Sequence, residues 1–234
     1  MRVLFIQQDH GSPLGPIGER FEHRGYDVET FLVVPPERFT TPDVHVSFPD
    51  PLAYDAIVPL GAPWSVYDDA TIGTWIHDEL KLLRTAHESR VPLLGICFGG
   101  QAMAAALGGS VEPIGQAELG WHAISTDEPD LLEPGPWFQF HADRWTTPPD
   151  AVEIARGPLG PQAFRLDRSL ALQFHPEVTA HTLEVWNETG GEEYMRERGV
   201  DPDAVMAQTR AEEPAAITRA WTLVDRFLDV VATS

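Results

Sequence analysis

The stretch that decides the fold is VPLLGICFGGQAMAAALGG, residues 91–109. Its first part, residues 91–96, is a short apolar run that is typical of a buried strand. Its later part, residues 101–107, is rich in alanine and predicts a helix. Between them lies Cys97, the only cysteine of the chain. The sequence therefore predicts a strand that turns sharply into a helix, with a thiol at the turn.

A cysteine at such a turn is a candidate nucleophile. The first N–H groups of a helix have no acceptor within the helix, and together with the helix dipole they stabilise negative charge. The thiolate, which is the reactive form, should therefore be favoured at Cys97. Gly95 and Gly99 flank the cysteine at two residues on either side, as in the G-x-S-x-G elbow of serine hydrolases. The alternative is an inert core cysteine, the commonest environment of a lone thiol; the glycine setting favours the nucleophile.

Composition limits the possible functions. The 234 residues include 36 acidic and 16 basic side chains, giving a formal net charge of −20. Such a surface repels phosphate backbones, so nucleic-acid binding is not expected. No apolar run approaches the ~20 residues that span a bilayer, and no secretory leader pattern is present, so no membrane partner is expected. One cysteine cannot form an intramolecular disulfide, which fits a cytoplasmic protein. We expect a single domain over residues 1–234.

The order of elements predicts an α/β fold. Apolar runs that predict strands lie at residues 2–7, 27–34, 55–60 and 91–96, and helical patterns lie at 19–25 and 70–89. This alternation favours an open, mostly parallel twisted sheet with helices on both faces. Short runs between residues 110 and 174 predict a small, partly antiparallel extension, and helices return after Thr179, most clearly at 215–232. Ligands bind at the carboxyl ends of such strands, where the 61–65 loop and Cys97 both fall.

A second candidate group follows another apolar run. Residues 170–174 end in His175, Pro176 and Glu177. A cysteine nucleophile needs a base within hydrogen-bond reach, and the base needs an acceptor that orients it. His175 and Glu177 supply both groups, two residues apart. The sequence therefore predicts a Cys97–His175–Glu177 relay.

The two groups together resemble a known family. Residues 95–101, GICFGGQ, and 173–178, QFHPEV, resemble the signature of class I, triad-type glutamine amidotransferases, with an elbow G-x-C-x-G-x-Q and a base motif F-H-P-E. The 61–65 loop, ELGW at 118–121 and HAD at 141–143 also resemble family segments. The resemblance covers residues 55–180 and is nearest to the free-standing branch similar to the amidotransferase domain of GMP synthase. It implies a flavodoxin-like sheet.

The resemblance also implies roles for individual residues. Cys97 would attack the side-chain amide of glutamine, forming a γ-glutamyl thioester and releasing ammonia. His175 would carry the proton, and Glu177 would orient the imidazole. The backbone N–H groups of Ala62 and Phe98 would form the oxyanion hole. The family has glycine in place of Ala62, so this donor requires a backbone conformation that accommodates a Cβ atom.

The resemblance further implies a set of substrate-binding residues: Gly61, Gln101, Glu118, Trp121 and His141. No cofactor or metal is expected, since the chain has no H-E-x-x-H motif and no cysteine pair. It also has no phosphate-binding G-x-x-x-x-G-K-[ST] loop, so a separate synthetase or ligase would use the ammonia.

Two other functions stay open from the sequence. One is a γ-glutamyl peptide or amide hydrolase that uses the same triad, with the loops at 10–18 and 112–121 deciding between substrates. The other is a catalytically silent regulatory or binding protein on the same scaffold. The presence of Cys97, His175 and Glu177 together argues against a silent protein, because such a protein has no chemical need of all three.

Overall fold

The computed structural model describes residues 1–234 and contains ten strands and seven α-helices. The strands are β1 (Arg2–Gln7), β2 (Asp27–Leu32), β3 (Ala56–Pro59), β4 (Leu93–Ile96), β5 (Ser110–His122), β6 (Ser125–Thr126), β7 (Trp137–Thr146), β8 (Val152–Gly157), β9 (Gly160–Leu166) and β10 (Ser169–Leu172). The helices are α1 (Gly15–His23), α2 (Asp69–Ile72), α3 (Ile76–Glu88), α4 (Phe98–Ala106), α5 (Ala180–Trp186), α6 (Glu192–Glu197) and α7 (Pro202–Arg226). None of the helices combines the length and the apolar character that a membrane crossing requires.

The main sheet has eight strands in the spatial order β2-β1-β3-β4-β10-β9-β8-β6. Its first five strands are parallel, and β9, β8 and β6 continue it in antiparallel fashion. Strands β5 and β7 form a separate two-stranded antiparallel sheet. The predicted fold class, a mostly parallel sheet with a small antiparallel extension, is confirmed.

The two faces of the sheet carry separate cores, because successive side chains of a strand point to opposite faces. On β1, Val3 and Phe5 pack against α1 and α7, whereas Leu4 and Ile6 pack against α3 and α4. Helices therefore cover both faces, as the sequence predicts. This arrangement leaves the carboxyl ends of the parallel strands free to carry a site.

Helix α4 begins earlier than its composition predicts. It starts at Phe98, directly after Cys97, and includes two glycines that have low helix propensity. A Cβ atom on Gly99 would lie 2.0 Å from the carbonyl oxygen of Pro59, and one on Gly100 would lie 2.6 Å from that of Leu172. Close packing of the helix on the strand ends therefore outweighs propensity and places Cys97 at the mouth of the helix.

Three other helix boundaries also differ from the predicted ones. The pattern at 19–25 is typical of the end of a short helix that follows a loop at 9–18, whereas helix α1 begins at Gly15, with a proline in its first turn, where a missing N–H costs nothing. The predicted helix 70–89 is broken into α2 and α3 around Trp75, whose buried indole N–H donates to the carbonyl of Pro42 at 2.9 Å. Helix α7 begins at Pro202, behind an Asp201 cap, and precedes the predicted start at 215.

Candidate active site

The turn that holds Cys97 is a strained elbow enforced by its surroundings. Cys97 has φ 50° and ψ −109°, a region that residues with a side chain rarely adopt. Its N–H donates to the carbonyl of Leu172 at 2.8 Å, and its carbonyl accepts from the N–H of Gln101 at 2.9 Å. A Cβ atom on Gly95 would lie 2.4 Å from Met103 Sδ. The glycine next to the elbow is therefore required for the close approach of β4 and α4.

His175 and Glu177 form a buried pair just beyond the end of β10. His175 Nδ1 lies 2.7 Å from Glu177 Oε1, and the N–H of His175 donates to the carbonyl of Phe138 at 2.8 Å. Burial disfavours the charged imidazolium, but the charges of Cys97 and Glu177 outweigh it and raise the pKa of His175 to about 10. Because Nδ1 is engaged by Glu177, Nε2 is the ring nitrogen left for proton transfer.

The side chains of Cys97 and His175 both lie next to Gly61, in the loop that follows β3. A Cβ atom on Gly61 would be 2.9 Å from His175 Cε1 and 3.8 Å from Cys97 Cβ. All three residues line one cavity of about 440 Å³. The structure therefore brings the predicted nucleophile and base to one site, although 78 residues separate them in the chain.

The two predicted oxyanion donors lie at the ends of this site. Phe98 is the first residue of α4, so its N–H has no acceptor within the helix. Ala62 follows Gly61 in the cavity lining, and its N–H donates to no protein acceptor. Among non-glycine residues only Arg90, Cys97 and Asp167 have a positive φ. Ala62 therefore accommodates its Cβ atom without backbone strain, and the departure from glycine does not remove the donor.

His141 lies in the cavity lining on top of a buried polar network from β5, β7 and β9. Its Nδ1 lies 2.9 Å from the carbonyl of Asp143, and its Nε2 lies 3.1 Å from both Glu118 Oε2 and Gln139 Oε1. The amide of Gln162 donates to Glu118 at 2.8 Å. Burial opposes ionisation of Glu118, but these bonds lower its pKa overall. The network fixes the ring of His141 at the cavity wall.

Two of the predicted substrate residues do not reach the cavity. Glu118 lies behind His141, and Trp121 lies in a third core against α7, where its indole N–H donates to Thr209 Oγ1 at 2.9 Å. Gly61, Gln101 and His141 do line the cavity. The role of Trp121 in substrate binding stays a prediction, and this geometry offers it no direct contact.

A family model for class-I glutamine amidotransferases matches residues 17–185. The chain belongs to this family. GMP synthase of Mycobacterium tuberculosis is 38% identical over 140 residues, which cover 56% of this chain and 25% of that protein. GMP synthase of Porphyromonas gingivalis is 34% identical over 132 residues, which cover 52% of this chain and 24% of that protein. The matched region thus spans about a quarter of each of these relatives.

Solved structures show the same fold over nearly the whole chain. A glutamine amidotransferase from Thermotoga maritima superposes with a TM-score of 0.82 at 24% identity, covering 98% of both chains. A glutamine amidotransferase from Methylobacillus flagellatus superposes with a TM-score of 0.84 at 23% identity, covering 97% of this chain and 94% of that one. The sheet and its antiparallel extension are therefore those of class-I amidotransferases.

The class-I elbow of this chain has a partner that sequence reasoning missed. The side-chain amide of Gln173 lies 3.9 Å from Cys97 Sγ, and its oxygen accepts from Gln101 Nε2 at 3.3 Å. Gln101 also donates to the carbonyl of Asp143 at 3.3 Å. The position of Gln173, two residues before the base in QFHPEV, is the feature of the sequence that could have identified it.

Asp143, which matches a family position near the pocket, has a contact that the sequence does not predict. Its carboxylate accepts from Ser65 Oγ at 2.5 Å and from the Tyr67 hydroxyl at 2.9 Å. It therefore ties the loop that carries Gly61 and Ala62 to strand β7. No local pattern reveals this contact, because it joins residues 76–78 positions apart.

The third missed feature is an aromatic wall, formed by Phe140, Trp186 and Tyr194. Ring centroids lie 5.4 Å apart for Phe140 and Trp186, and 5.5 Å apart for Phe140 and Tyr194. All three side chains line the cavity. Trp186 ends α5 and Tyr194 lies in α6, on either side of a kink at Gly190, which has φ 108°. The sequence analysis predicts only helix there.

Proposed function

We propose that this chain hydrolyses the side-chain amide of glutamine through a γ-glutamyl thioester on Cys97 and releases ammonia for a synthetase. The observation that carries this proposal is the placement of Cys97 and the His175–Glu177 pair around Gly61 in one cavity. Membership of the class-I family supports the choice of glutamine.

The reaction has two halves. In the first, the Cys97 thiolate attacks the amide carbon, and the C–N bond breaks as His175 gives its proton to the leaving nitrogen. In the second, water attacks the thioester carbon while His175 takes a proton from it, so that glutamate and free Cys97 are formed. The N–H groups of Phe98 and Ala62 stabilise the oxyanion of each tetrahedral intermediate, and each such donor is typically worth ~2.7–4 kcal/mol.

The charge state of the pair supports the first step. The pKa of His175 is raised to about 10 by Cys97 and Glu177 against the cost of burial, so the imidazole beside Cys97 carries the proton that the leaving nitrogen needs. That pair is ready both to attack and to protonate the leaving group. A thiol that must stay reduced favours a reducing compartment, and we propose a cytoplasmic location.

The protein that accepts the ammonia is proposed from the relatives of this chain. The relatives described above are glutamine-hydrolysing GMP synthases, and the match covers only a quarter of their length. Residues 1–234 contain no phosphate-binding loop motif. These facts support a synthetase or ligase active site outside these residues, on a partner subunit, as the acceptor of ammonia.

The test is ammonia and glutamate release from glutamine by the purified chain, with labelling by 6-diazo-5-oxo-norleucine. Labelling of the wild type at Cys97, its loss in Cys97→Ala, and loss of turnover in that variant are expected. His175→Asn should keep the fold and lose thioester formation. Undiminished turnover by Cys97→Ala would end the proposal.

A γ-glutamyl amide or peptide is the alternative substrate, and one observation favours it. The cavity of about 440 Å³ falls in the range of ~300–1,000 Å³ that holds ligands much larger than a free amino acid. A silent binding protein is not favoured, because the buried His175–Glu177 pair and the strained elbow have no purpose without Cys97 chemistry.

A further inference from the structure

The aromatic wall lies beside the base and not on the far side of the cavity. The ring of Trp186 packs edge-to-face on the imidazole of His175, with centroids 4.9 Å apart. Phe140 packs on Trp186 and Tyr194 packs on Phe140, which continues the same surface along the cavity lining. Since His175 protonates the leaving nitrogen, a substituent on that nitrogen would lie close to this surface. When glutamine is the substrate, the leaving group is ammonia, which has no substituent that could contact the aromatic wall.

The wall is held in place by contacts with neighbouring segments of the chain. The indole N–H of Trp186 donates to the carbonyl of Gly11 at 2.7 Å, which fixes the ring against the loop after β1. The guanidinium of Arg198 lies 3.5 Å from the centre of the Tyr194 ring. A surface that is ordered in this way costs little conformational entropy when a ligand binds to it. The wall is therefore a preformed apolar surface at the mouth of the cavity.

The charges of the lining restrict what can lie on this surface. No lysine or arginine lines the cavity, and the carboxylates of Asp9 and Asp143 do. Asp9 is held by the N–H of Gly11 at 2.7 Å and by the Ser12 hydroxyl at 3.2 Å. An amino-acid leaving group would bring a second carboxylate next to these acids, and the only cationic side chain in the lining, the His175 imidazolium, is already paired with Glu177. A neutral ring on the leaving amine meets the aromatic side chains instead.

We propose that the site accepts γ-glutamyl amides of amines that carry a neutral aromatic ring, and that Phe140, Trp186 and Tyr194 bind the ring. The proposal rests on the thioester chemistry proposed above and names a substrate class for the same site. Cys97 forms the thioester as the C–N bond breaks, the amine leaves with the proton of His175, and water releases glutamate. No further reactant is needed.

The experiment compares kcat/KM for glutamate release from L-glutamine, L-γ-glutamylethylamide, L-γ-glutamylbenzylamide and L-γ-glutamylglycine. Benzylamine is a weaker base than ethylamine, so the benzylamide-to-ethylamide ratio is compared between the wild type and its variants, where this difference between the leaving groups cancels. We expect the benzylamide to exceed the ethylamide by about tenfold, on the scale of a filled apolar subsite. The glycine derivative, which adds a carboxylate, should be the poorest substrate of the amide series.

Two variants locate the effect. Tyr194→Ala and Phe140→Leu should each lower the benzylamide-to-ethylamide ratio by about fivefold, as expected for loss of an aromatic contact. Trp186 is left intact because it touches His175. Phe48→Ala is the matched control, since Phe48 is half-buried against Phe31 and does not line the cavity; its ratio should equal that of the wild type.

The outcomes separate this inference from the proposed function. Hydrolysis of glutamine and the ethylamide without preference for the benzylamide overturns the inference alone, as does an unchanged ratio in both wall variants. A glycine derivative that is better than the benzylamide also overturns it. Absence of turnover and of thioester formation with every compound, in a chain that is folded by circular dichroism, overturns the proposed function and this inference with it.

Discussion

The elbow region and the outer wall of the cavity are built in different ways. In β4 and α4, residues 93–106, glycines allow neighbouring backbone segments to pack closely. The reactive Cys97 is held there by backbone hydrogen bonds. In β7 and the α5–α6 segment, residues 137–146 and 180–197, the cavity is closed by aromatic rings and polar side chains. In the elbow region, a larger side chain at a glycine would collide with neighbouring backbone. The outer wall can change side chains while the backbone stays in place.

This difference assigns separate tasks to the two regions. Backbone geometry in the elbow region sets the position of the thiol, and therefore whether the reaction occurs. Side chains of the outer wall set which leaving group and which part of the substrate are favoured. Substitutions that disturb the triad or Gly61 should lower kcat, whereas those in the outer wall should alter selectivity or stability. The following four predictions test that division.

The largest expected effect comes from Glu177→Gln. The amide keeps the shape of the side chain but removes the charge that helps to raise the pKa of His175, and it no longer fixes the tautomer with Nδ1–H. We expect kcat for glutamine to fall by about ten-thousandfold, as when the orienting carboxylate of other triads is replaced by its amide. Steady-state kinetics across pH 6–10 check this.

A parallel measurement shows whether Glu177→Gln acts on chemistry alone. The midpoint of thermal unfolding should fall only slightly, because the amide can still hydrogen-bond to Nδ1, either as a donor or as an acceptor. A variant that keeps wild-type kcat at every pH would show that His175 needs no orienting carboxylate, and the division between the regions would lose its main support.

The second effect is that of Gly61→Ala, which adds one methyl group next to both His175 and Cys97. Its Cβ atom would lie 2.9 Å from His175 Cε1, so the imidazole must shift. A displacement of this size at the reacting groups typically costs about a hundredfold in rate, and we expect that loss in kcat. Melting should change by no more than a few degrees, since the loop is not an element of the core. Retained kcat would show that the ring has a free path to move.

The third effect concerns Glu79, a fully buried acid of the parallel half that takes no part in the chemistry. Burial raises its pKa to about 8, although a 2.7 Å bond from Gln8 Nε2 opposes the rise. Below pH 4.5 both folded and unfolded chains hold this proton. As pH rises to about 8, the unfolded chain ionises while the folded chain does not, so the folded state loses stability.

Glu79→Gln should remove this dependence. Relative to the wild type, the variant is expected to be more stable at pH 8 than at pH 5, by about 1–3 kcal/mol, because the amide has no proton to lose when the chain unfolds. Urea unfolding at pH 5 and pH 8 gives the difference directly. Equal pH slopes for the two proteins would show that Glu79 already shares its charge with a partner, and that burial does not determine its pKa.

The features that can be predicted from the sequence alone lie mostly in the elbow region. The strand, the thiol and the helix occupy one stretch of 19 residues, and the base and its acceptor are two residues apart, so local patterns are sufficient. The fold class follows from the alternation of strands and helices. Even there, the start of α4 is wrong by three residues, because contacts of Gly99 and Gly100 with distant strand ends outweigh their propensity.

The outer wall could not be predicted in this way. Asp143 meets Ser65 across 78 residues, and Trp186 meets Gly11 across 175. Such contacts depend on where β7 and α5 pack against the folded main sheet. The spacing of residues within either segment does not predict them. Trp121 illustrates the opposite case: it lies in a segment that matches the family, yet its side chain points into the core with Thr209.

The smallest expected effect therefore comes from Trp121→Phe. The substitution removes the indole N–H that donates to Thr209 and a part of the contact with Phe138. Loss of one buried hydrogen bond costs about 1–2 kcal/mol, and the KM for glutamine should stay within twofold of the wild type.

Trp221→Phe is the matched control, since the buried indole N–H of Trp221 has no acceptor and its loss should cost less stability. A tenfold rise in KM for Trp121→Phe, with stability unchanged, would place Trp121 in the substrate site as the sequence predicts. The boundary between the two regions would then have to include β5, and the outer wall could no longer be described by the residues that line the cavity.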